Sequence, residues 1–158
     1  FERKYELNSD DFYNLGLTSS LLNMEEDKAK YFQKSLEQNP DNSYSLNATG
    51  YELNKKGEFQ EAILLFNKAI EVQTDFAYAY NNRGHAKIEN GQLDEGLKDI
   101  EHSLQLDSEN SYVYRNLGIY HLKRNESSKA LKYFLQSKQI DKDTDLIEEL
   151  IKQAKALV

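Results

Sequence analysis

The sequence predicts an all-α protein, a solenoid of antiparallel helix pairs, and three repeated features point to it. Four glycines are equally spaced along the chain, at Gly16, Gly50, Gly84 and Gly118. A phenylalanine or isoleucine follows each glycine at one fixed offset, and a serine or alanine follows it at a second. These residues are Phe32, Phe66, Ile100 and Phe134, and then Ser35, Ala69, Ser103 and Ser137. Because a period of about 34 residues is typical of stacked helical repeats, each interval is expected to hold one pair of helices.

The first helix of each pair is predicted around the glycine. A large residue stands one helical turn earlier, on the same face, and the glycine would admit a bulky side chain from the neighbouring helix. These large residues are Phe12, Leu46, Tyr80 and Tyr114. An asparagine is expected to cap the start of three of these helices, and Phe76 breaks the pattern in the other. The predicted caps are Asn8, Asn42 and Asn110.

The second helix of each pair is predicted from apolar residues at helical spacing, such as Ala62, Phe66 and Ala69 in the second interval. Its small residues would let the two backbones approach closely. The turn between the helices is predicted at one fixed offset after each glycine, where Asn and Gly tolerate the left-handed conformation that ends a helix. The turn residues are Asn23, Gly57, Gly91 and Asn125.

These offsets resemble the tetratricopeptide repeat, whose signature places bulky, Gly, Ala, Phe, Ala and Pro residues at fixed positions within each period. The resemblance covers residues 9–141 and implies a right-handed superhelical solenoid of four repeats plus a C-terminal capping helix. The repeats are expected at residues 9–42, 43–76, 77–110 and 111–144. Gly96 and Lys28 each replace an alanine of the signature, and the first repeat is expected to be the most divergent in its packing.

Both ends of the chain are interpreted from their patterns. Residues 1–8 resemble the end of a second helix and are interpreted as the remainder of a preceding repeat. Residues 145–158 carry an apolar stripe that includes Leu146, Ile147, Ile151 and Leu157, and they are predicted to form the capping helix. Asp145 and Glu148 are expected to form a capping box at its start.

The composition limits the class of function. Over 158 residues, 20 basic and 27 acidic side chains give a net charge of -7, which disfavours nucleic-acid binding through long-range repulsion. The longest apolar run, residues 62–66, is far shorter than a membrane span, so direct membrane insertion is not expected. We therefore expect a soluble protein, cytoplasmic or, if a targeting segment has been removed, exported.

No arrangement of residues indicates catalysis, a metal or a cofactor. The three histidines, His85, His102 and His121, lie in different helices and repeat registers, and no pair has metal-ligand spacing. The aspartates of residues 141–145 resemble the start of a calcium loop, but Leu146 stands where that loop needs glycine. No nucleophile stands beside a base. The sequence therefore predicts a protein that is not an enzyme and needs no cofactor.

The resemblance implies a ligand groove on the concave surface, lined mainly by the first helix of each repeat. Asparagine amides can hydrogen bond a peptide backbone, and tyrosine supplies rigid apolar area with a polar tip. We expect an extended, weakly charged segment of a partner protein to bind there. Asn14, Asn82 and Asn116 share one register and would form a partial ladder. The candidate binding residues are Asn14, Tyr44, Asn47, Tyr51, Tyr78, Asn81, Asn82, His85, Tyr112, Arg115 and Asn116.

Other interpretations stay open. The tyrosines can simply pack between repeats, and the asparagines can reflect a chain that is rich in this residue throughout. The chain can also be a structural or regulatory segment of a larger protein, or a self-association module, without its own peptide ligand. An acidic chaperone tail is not expected as a partner, because only Asn82 matches the carboxylate clamp that chaperone-type repeats carry.

Overall fold

The structure is a computed structural model that describes residues 6–158, and all the regular secondary structure in this range is helical. The helices divide between two compact units, Phe1–Thr74 and Asp75–Val158. In chain order they are α1 Ser9–Leu21, α2 Glu25–Gln38, α3 Ser43–Lys56, α4 Phe59–Val72, α5 Ala77–Glu89, α6 Leu93–Leu106, α7 Ser111–Lys123, α8 Ser127–Ile140 and α9 Ile147–Ala156. The first helices of the pairs, α1, α3, α5 and α7, thus begin at equal intervals along the chain, as the period predicts.

In the first unit, α1 packs against α2 and α3 packs against α4, and α2 also contacts α3. The aromatic rings at the predicted position lie directly against the glycines. A Cβ atom on Gly50 would lie 2.7 Å from Cε1 of Phe66, and one on Gly16 would overlap the ring of Phe32. Since Phe66 is fully buried, the glycine is needed to make room for the ring.

In the second unit, α5 packs against α6, α7 packs against α8, and α8 also packs against α9. One core cluster is centred on Ile88, Ile100 and Leu117, which come from three of these helices. A second cluster joins Phe134 of α8 to residues of α9, including Ile151. The predicted role of α9 as a helix that covers α8 is therefore seen in the packing.

The predicted turns and caps are confirmed. Asn23 and Asn125 have φ of 56° and 59°, and Gly57 and Gly91 have φ of 82° and 85°. These are the left-handed conformations that asparagine and glycine adopt most readily. The side chains of all three predicted cap asparagines accept backbone N–H groups of the helix that follows, whereas Phe76 makes no such cap.

The small residues of the second helices do more than allow close packing. Three of them are serines whose hydroxyls donate to the carbonyl of the first residue of the preceding helix. The Ser35 hydroxyl donates to Ser9 O at 2.7 Å. The corresponding bonds run from Ser103 to Ala77 O at 2.8 Å and from Ser137 to Ser111 O at 2.9 Å. Each bond fastens the end of one helix to the start of its partner, which fixes the pair as antiparallel.

The two departures from the repeat signature have separate structural reasons. The Gly84 and Gly96 backbones approach so closely that a Cβ on Gly96 would lie 2.6 Å from Gly84 O. Glycine is required there because even alanine would collide. Lys28 is buried, and its Nζ pairs with Glu25 and with Glu52, the latter at 2.9 Å. The first repeat therefore accommodates a charge where the signature has a methyl group.

The expected start of the capping helix is wrong. α9 begins at Ile147, and its N-cap is Leu146, which has a left-handed φ of 60° and no side-chain cap. The Asp145 and Glu148 capping box is therefore not formed, and Leu146 and Leu157 of the predicted apolar stripe are exposed. The interpretation of residues 1–8 as an earlier helix falls mostly on residues 1–5, which lie outside the described residues.

Candidate binding faces

The candidate binding residues of the first unit lie on α1 and α3, and we call them the first-unit face: Asn14, Tyr44, Asn47 and Tyr51. Asn14 is exposed, Tyr44 is 48% exposed, and Asn47 and Tyr51 are partly buried. The Tyr44 ring lies 5.7 Å from the ring of Tyr13, which belongs to the neighbouring first helix. This contact leaves Tyr44 with one supported side and one side open to solvent.

The candidates of the second unit lie on α5 and α7. Four of them reach the surface, and we call these the second-unit face: Tyr78, Asn82, His85 and Tyr112. Tyr78 is 54% exposed, and the other three are partly buried. The Tyr112 ring lies under the Arg115 guanidinium at 4.8 Å from its centroid. Tyr78 and Tyr112 occupy the same repeat position as Tyr44 of the first unit.

Three of the predicted ligand contacts are instead internal. Asn81 and Asn116 are 2% and 1% exposed, and Asn116 Nδ2 donates to Asn81 Oδ1 at 2.9 Å. Arg115 is also buried and donates to Asn116 Oδ1 at 3.2 Å through Nη2. Its Nη1 lies 3.4 Å from Asp145 O. These three side chains join α5, α7 and the segment before α9, so the predicted ladder does not continue to Asn116 as a surface contact.

The ionisable side chains on and beside the second-unit face are either paired with an opposite charge or neutral. Lys123 Nζ pairs with Glu89 at 2.9 Å across α7 and α5. Burial lowers the pKa of His85 to about 3, and the neighbouring Arg115 and Lys123 act in the same direction. His85 is therefore a neutral imidazole at physiological pH, with one ring nitrogen that donates a hydrogen bond and one that accepts.

A shallow pocket of about 650 Å³ opens at the start of α7, and sequence reasoning did not find it. It contains the predicted Tyr78 and Tyr112, together with Asn110, Glu109 and Asp141 from the two loops beside them. The sequence did contain a sign of it, because two aspartates, at residues 107 and 141, stand one repeat apart. In the structure each aspartate side chain accepts the backbone N–H of the second residue after it. Those matched turns bring two acidic loops to one edge of the unit.

Within residues 6–158, no group of three or more His, Cys, Asp or Glu side chains is placed to hold a metal ion. Over the same residues, every helix is too short or too polar to cross a lipid bilayer.

The helix pairs, their glycine contacts and their fixed period define a helical-repeat scaffold. A profile described as "TPR repeat" matches residues 50–91, and two described as "Tetratricopeptide repeat" match residues 31–63 and 77–110. The chain belongs to the tetratricopeptide repeat family, whose members use their stacked helices as surfaces for protein interaction. No curated protein sequence matches the chain.

Solved structures with the same fold include a chain of the APC/C hetero-tetramer Cut9-Hcn1, with a TM-score of 0.78 and 20% identity over 94% of this chain. PilF of Pseudomonas aeruginosa gives a TM-score of 0.73 and 22% identity over 94% of this chain and 68% of that one. The Arabidopsis OM64 TPR domain gives 0.63 and 17% identity, over 73% of this chain and 96% of the domain. The chain spans 30% of the length of the matched Cut9-Hcn1 chain. These structures establish the all-α, tetratricopeptide-like solenoid fold.

Proposed function

We propose that the first-unit face and the second-unit face each bind an extended, weakly charged segment of a partner protein. Tyrosine rings contact apolar parts of that segment, and asparagine amides hydrogen bond its backbone. An asparagine side chain offers one carbonyl and one amide, the same pair of groups that a peptide unit presents in reverse. An extended peptide is therefore a chemically matched ligand for these faces.

The exposure of Tyr44 and Tyr78 is the observation that carries the proposal. Both rings stand at the second position of their repeats, and about half of each side chain is open. Aromatic rings of this kind are rigid, so binding costs little conformational entropy while covering much apolar area. A tyrosine that served only to pack between helices would be expected to lose most of its surface.

The charge pattern supports a weakly charged ligand. Arg115 is held by Asn116 and lies over the Tyr112 ring, so it is already engaged inside the unit. Lys123 is paired with Glu89, and His85 is neutral. A string of ligand carboxylates would have to break these contacts to find a cation, and that desolvation opposes an acidic tail.

The test is a pull-down from native extract with the parent protein and a Tyr44→Ala, Asn47→Ala double variant. Leu64→Ala is the matched control, because Leu64 is 67% exposed on α4, outside both faces. Circular dichroism checks that all three proteins are folded. A partner retained by the parent and by the control, but lost by the double variant, supports the proposal. Identical partner lists for all three proteins would contradict it and favour a structural segment of a larger protein.

A further inference from the structure

The turn between α1 and α2 exposes an apolar group that the turns of the later repeats lack. Leu21 is 85% exposed, Leu22 is 64% exposed, and Met24 beside them is 45% exposed. The second, third and fourth repeats have only charged or amide side chains at these positions. A contiguous apolar group on a protein surface marks a site of contact with another molecule. We call Leu21, Leu22 and Met24 the leucine turn.

The same unit has an open apolar pocket where the later repeats have a larger side chain. The pocket has a volume of about 420 Å³ and lies between α2 and α3. Its apolar lining consists of Ala29, Phe32, Leu36 and Leu53. At the position of Ala29 the second unit has Leu97 and Leu131, which pack against its two core clusters. Ala29 itself is exposed, so the apolar wall of the pocket can be reached from solvent. We call this space the Ala29 pocket.

The leucine turn and the Ala29 pocket match each other in size and polarity. Because the second unit fills the position of Ala29 with its own leucines, a leucine side chain is the occupant that fits the open space. Leu21 is exposed, so within one copy it does not enter the pocket. Both features belong to one compact unit. A two-fold symmetric pair can therefore place the leucine turn of each copy in the pocket of the other, and such a pair closes on itself.

The charges beside the two features are complementary. Glu26 follows the leucine turn directly in the first turn of α2 and is exposed. At the rim of the Ala29 pocket, Lys56 is also exposed. The two rim carboxylates are already engaged, since Glu37 accepts a hydrogen bond from a neighbouring amide at 2.9 Å and Glu52 pairs with Lys28 at 2.9 Å. A leucine turn that enters the pocket of a second copy therefore brings its acidic flank towards a cation.

We propose that two copies of the chain associate through a two-fold contact in which the leucine turn of each copy enters the Ala29 pocket of the other. Glu26 of each copy lies beside Lys56 of the other. The contact is small, because a standard stable interface uses about 20–30 residues from each partner, so the dimer is weak and reversible. The contact uses no residue of the first-unit face or the second-unit face and does not depend on the proposed function.

Sedimentation equilibrium measures the association directly. Between micromolar and millimolar protein, the average mass should rise from that of one chain towards that of two chains, and it should not go further. In an equal mixture of isotopically labelled and unlabelled protein, a filtered nuclear Overhauser experiment records only contacts between copies. It should connect the Ala29 methyl group of one copy with the methyl groups of Leu21 or Leu22 of the other.

Two variants remove the two halves of the contact. Replacing both Leu21 and Leu22 by lysine gives this turn the residues of the second repeat, and lysine suits the negative end of α1. Ala29→Leu fills the pocket with the side chain of the later repeats. Each variant should remain folded by circular dichroism and should lower the association constant at least about tenfold. Leu64→Lys is the control, because Leu64 is 67% exposed on α4, and it should associate like the parent.

Charge reversal tests how the two copies are oriented. Glu26→Lys and Lys56→Glu should each weaken the association about two- to fivefold at low salt. The double variant restores opposite charges across the contact, so its association constant should return towards that of the parent.

A parent that stays monomeric up to millimolar concentration would overturn the inference, as would a mass that rises beyond two chains. An Ala29→Leu variant that associates like the parent would also overturn it. So would a Leu64→Lys control that loses association as completely as the leucine-turn variant, because the contact would then not be specific to this turn.

Discussion

Replacing Gly50 by alanine tests the central packing contact of the repeat. The added Cβ would lie 2.7 Å from Cε1, 3.0 Å from Cζ and 3.1 Å from Cδ1 of the Phe66 ring. Carbon atoms pack best at about 3.5–4.0 Å, so three ring atoms would be too close. The ring is fully buried and cannot turn out to solvent. Overpacking of this kind costs about 1–3 kcal/mol, and the better helix propensity of alanine returns roughly 1 kcal/mol.

We therefore expect Gly50→Ala to lower the free energy of unfolding by about 0–2 kcal/mol. Replacing the Phe66 ring by a smaller side chain should remove the collision with a Cβ at position 50. Phe66→Leu will be destabilising by itself, but it should be far better tolerated when Ala stands at position 50. Urea unfolding of the parent, both single variants and the double variant, followed by circular dichroism, measures this coupling. The expected coupling free energy is about 1–2 kcal/mol in favour of the double variant.

Gly57→Ala is the control for this cycle. Gly57 has a positive φ of 82°, and a Cβ there would have no atom within 4 Å, so its cost comes from backbone strain and not from a collision. Its effect should add to that of Phe66→Leu within about 0.5 kcal/mol. If the effects of Gly50→Ala and Phe66→Leu were equally additive, the proposed reason for the repeated glycine would be refuted.

Three further changes test other parts of the structure. Asp99 is buried and accepts from Arg83 and Lys87 at 2.6–2.7 Å. Asp99→Asn should therefore lower the unfolding free energy by about 2–4 kcal/mol, and a loss no larger than that of the exposed Asp94→Asn would contradict the buried ionic contact. Because the pKa of His85 is about 3 in the folded protein, against an ordinary value of 6.5, the unfolded chain binds the extra proton between these values. The stability that the folded protein gains from keeping His85 neutral is fully present above the pKa of the unfolded chain, and it is lost as the pH falls. Between about pH 7 and about pH 5 the parent should lose about 1–2 kcal/mol more than His85→Gln, and parallel urea-unfolding profiles would refute the shift. Ala29 lines a pocket of about 420 Å³, where the matching positions of the second unit hold leucine. Ala29→Leu should raise the unfolding free energy by about 0.5–2 kcal/mol in urea unfolding, and no gain would show that the pocket cannot accept the side chain.

The local features of the fold were predictable because they depend on short stretches of sequence. Asn23 and Asn125 share the turn position with glycines, and only residues that tolerate positive φ fit there. Asn42 precedes a helix and has the side-chain oxygen that a cap needs. The start of α9 escaped prediction because Asp145 satisfies the local cap rule, whereas the packing of Ile147 and Ile151 in the core sets the helix boundary.

The candidate site was only partly predictable, because repeat position gives the face of a helix but not the depth of a side chain. Asn116 shares its register with Asn82, yet it is buried because Asn81 and Arg115 bond to it. The pairing of Asp99 with two cations also depends on contacts between helices, which the spacing alone does not reveal.

Site-specific photo-crosslinking tests directly whether Tyr44 and Tyr78 lie on the binding surface. A photoreactive phenylalanine is placed at Tyr44 or Tyr78 on the binding faces, and at Leu135, which is exposed on α8, as the control. The folded proteins are irradiated in native extract and the adducts are identified by mass spectrometry. The face positions are expected to capture the same partner protein, each through a defined segment, whereas the control position is not. Equal capture at all three positions, or capture only at Leu135, would contradict the assignment of these faces as the binding surface.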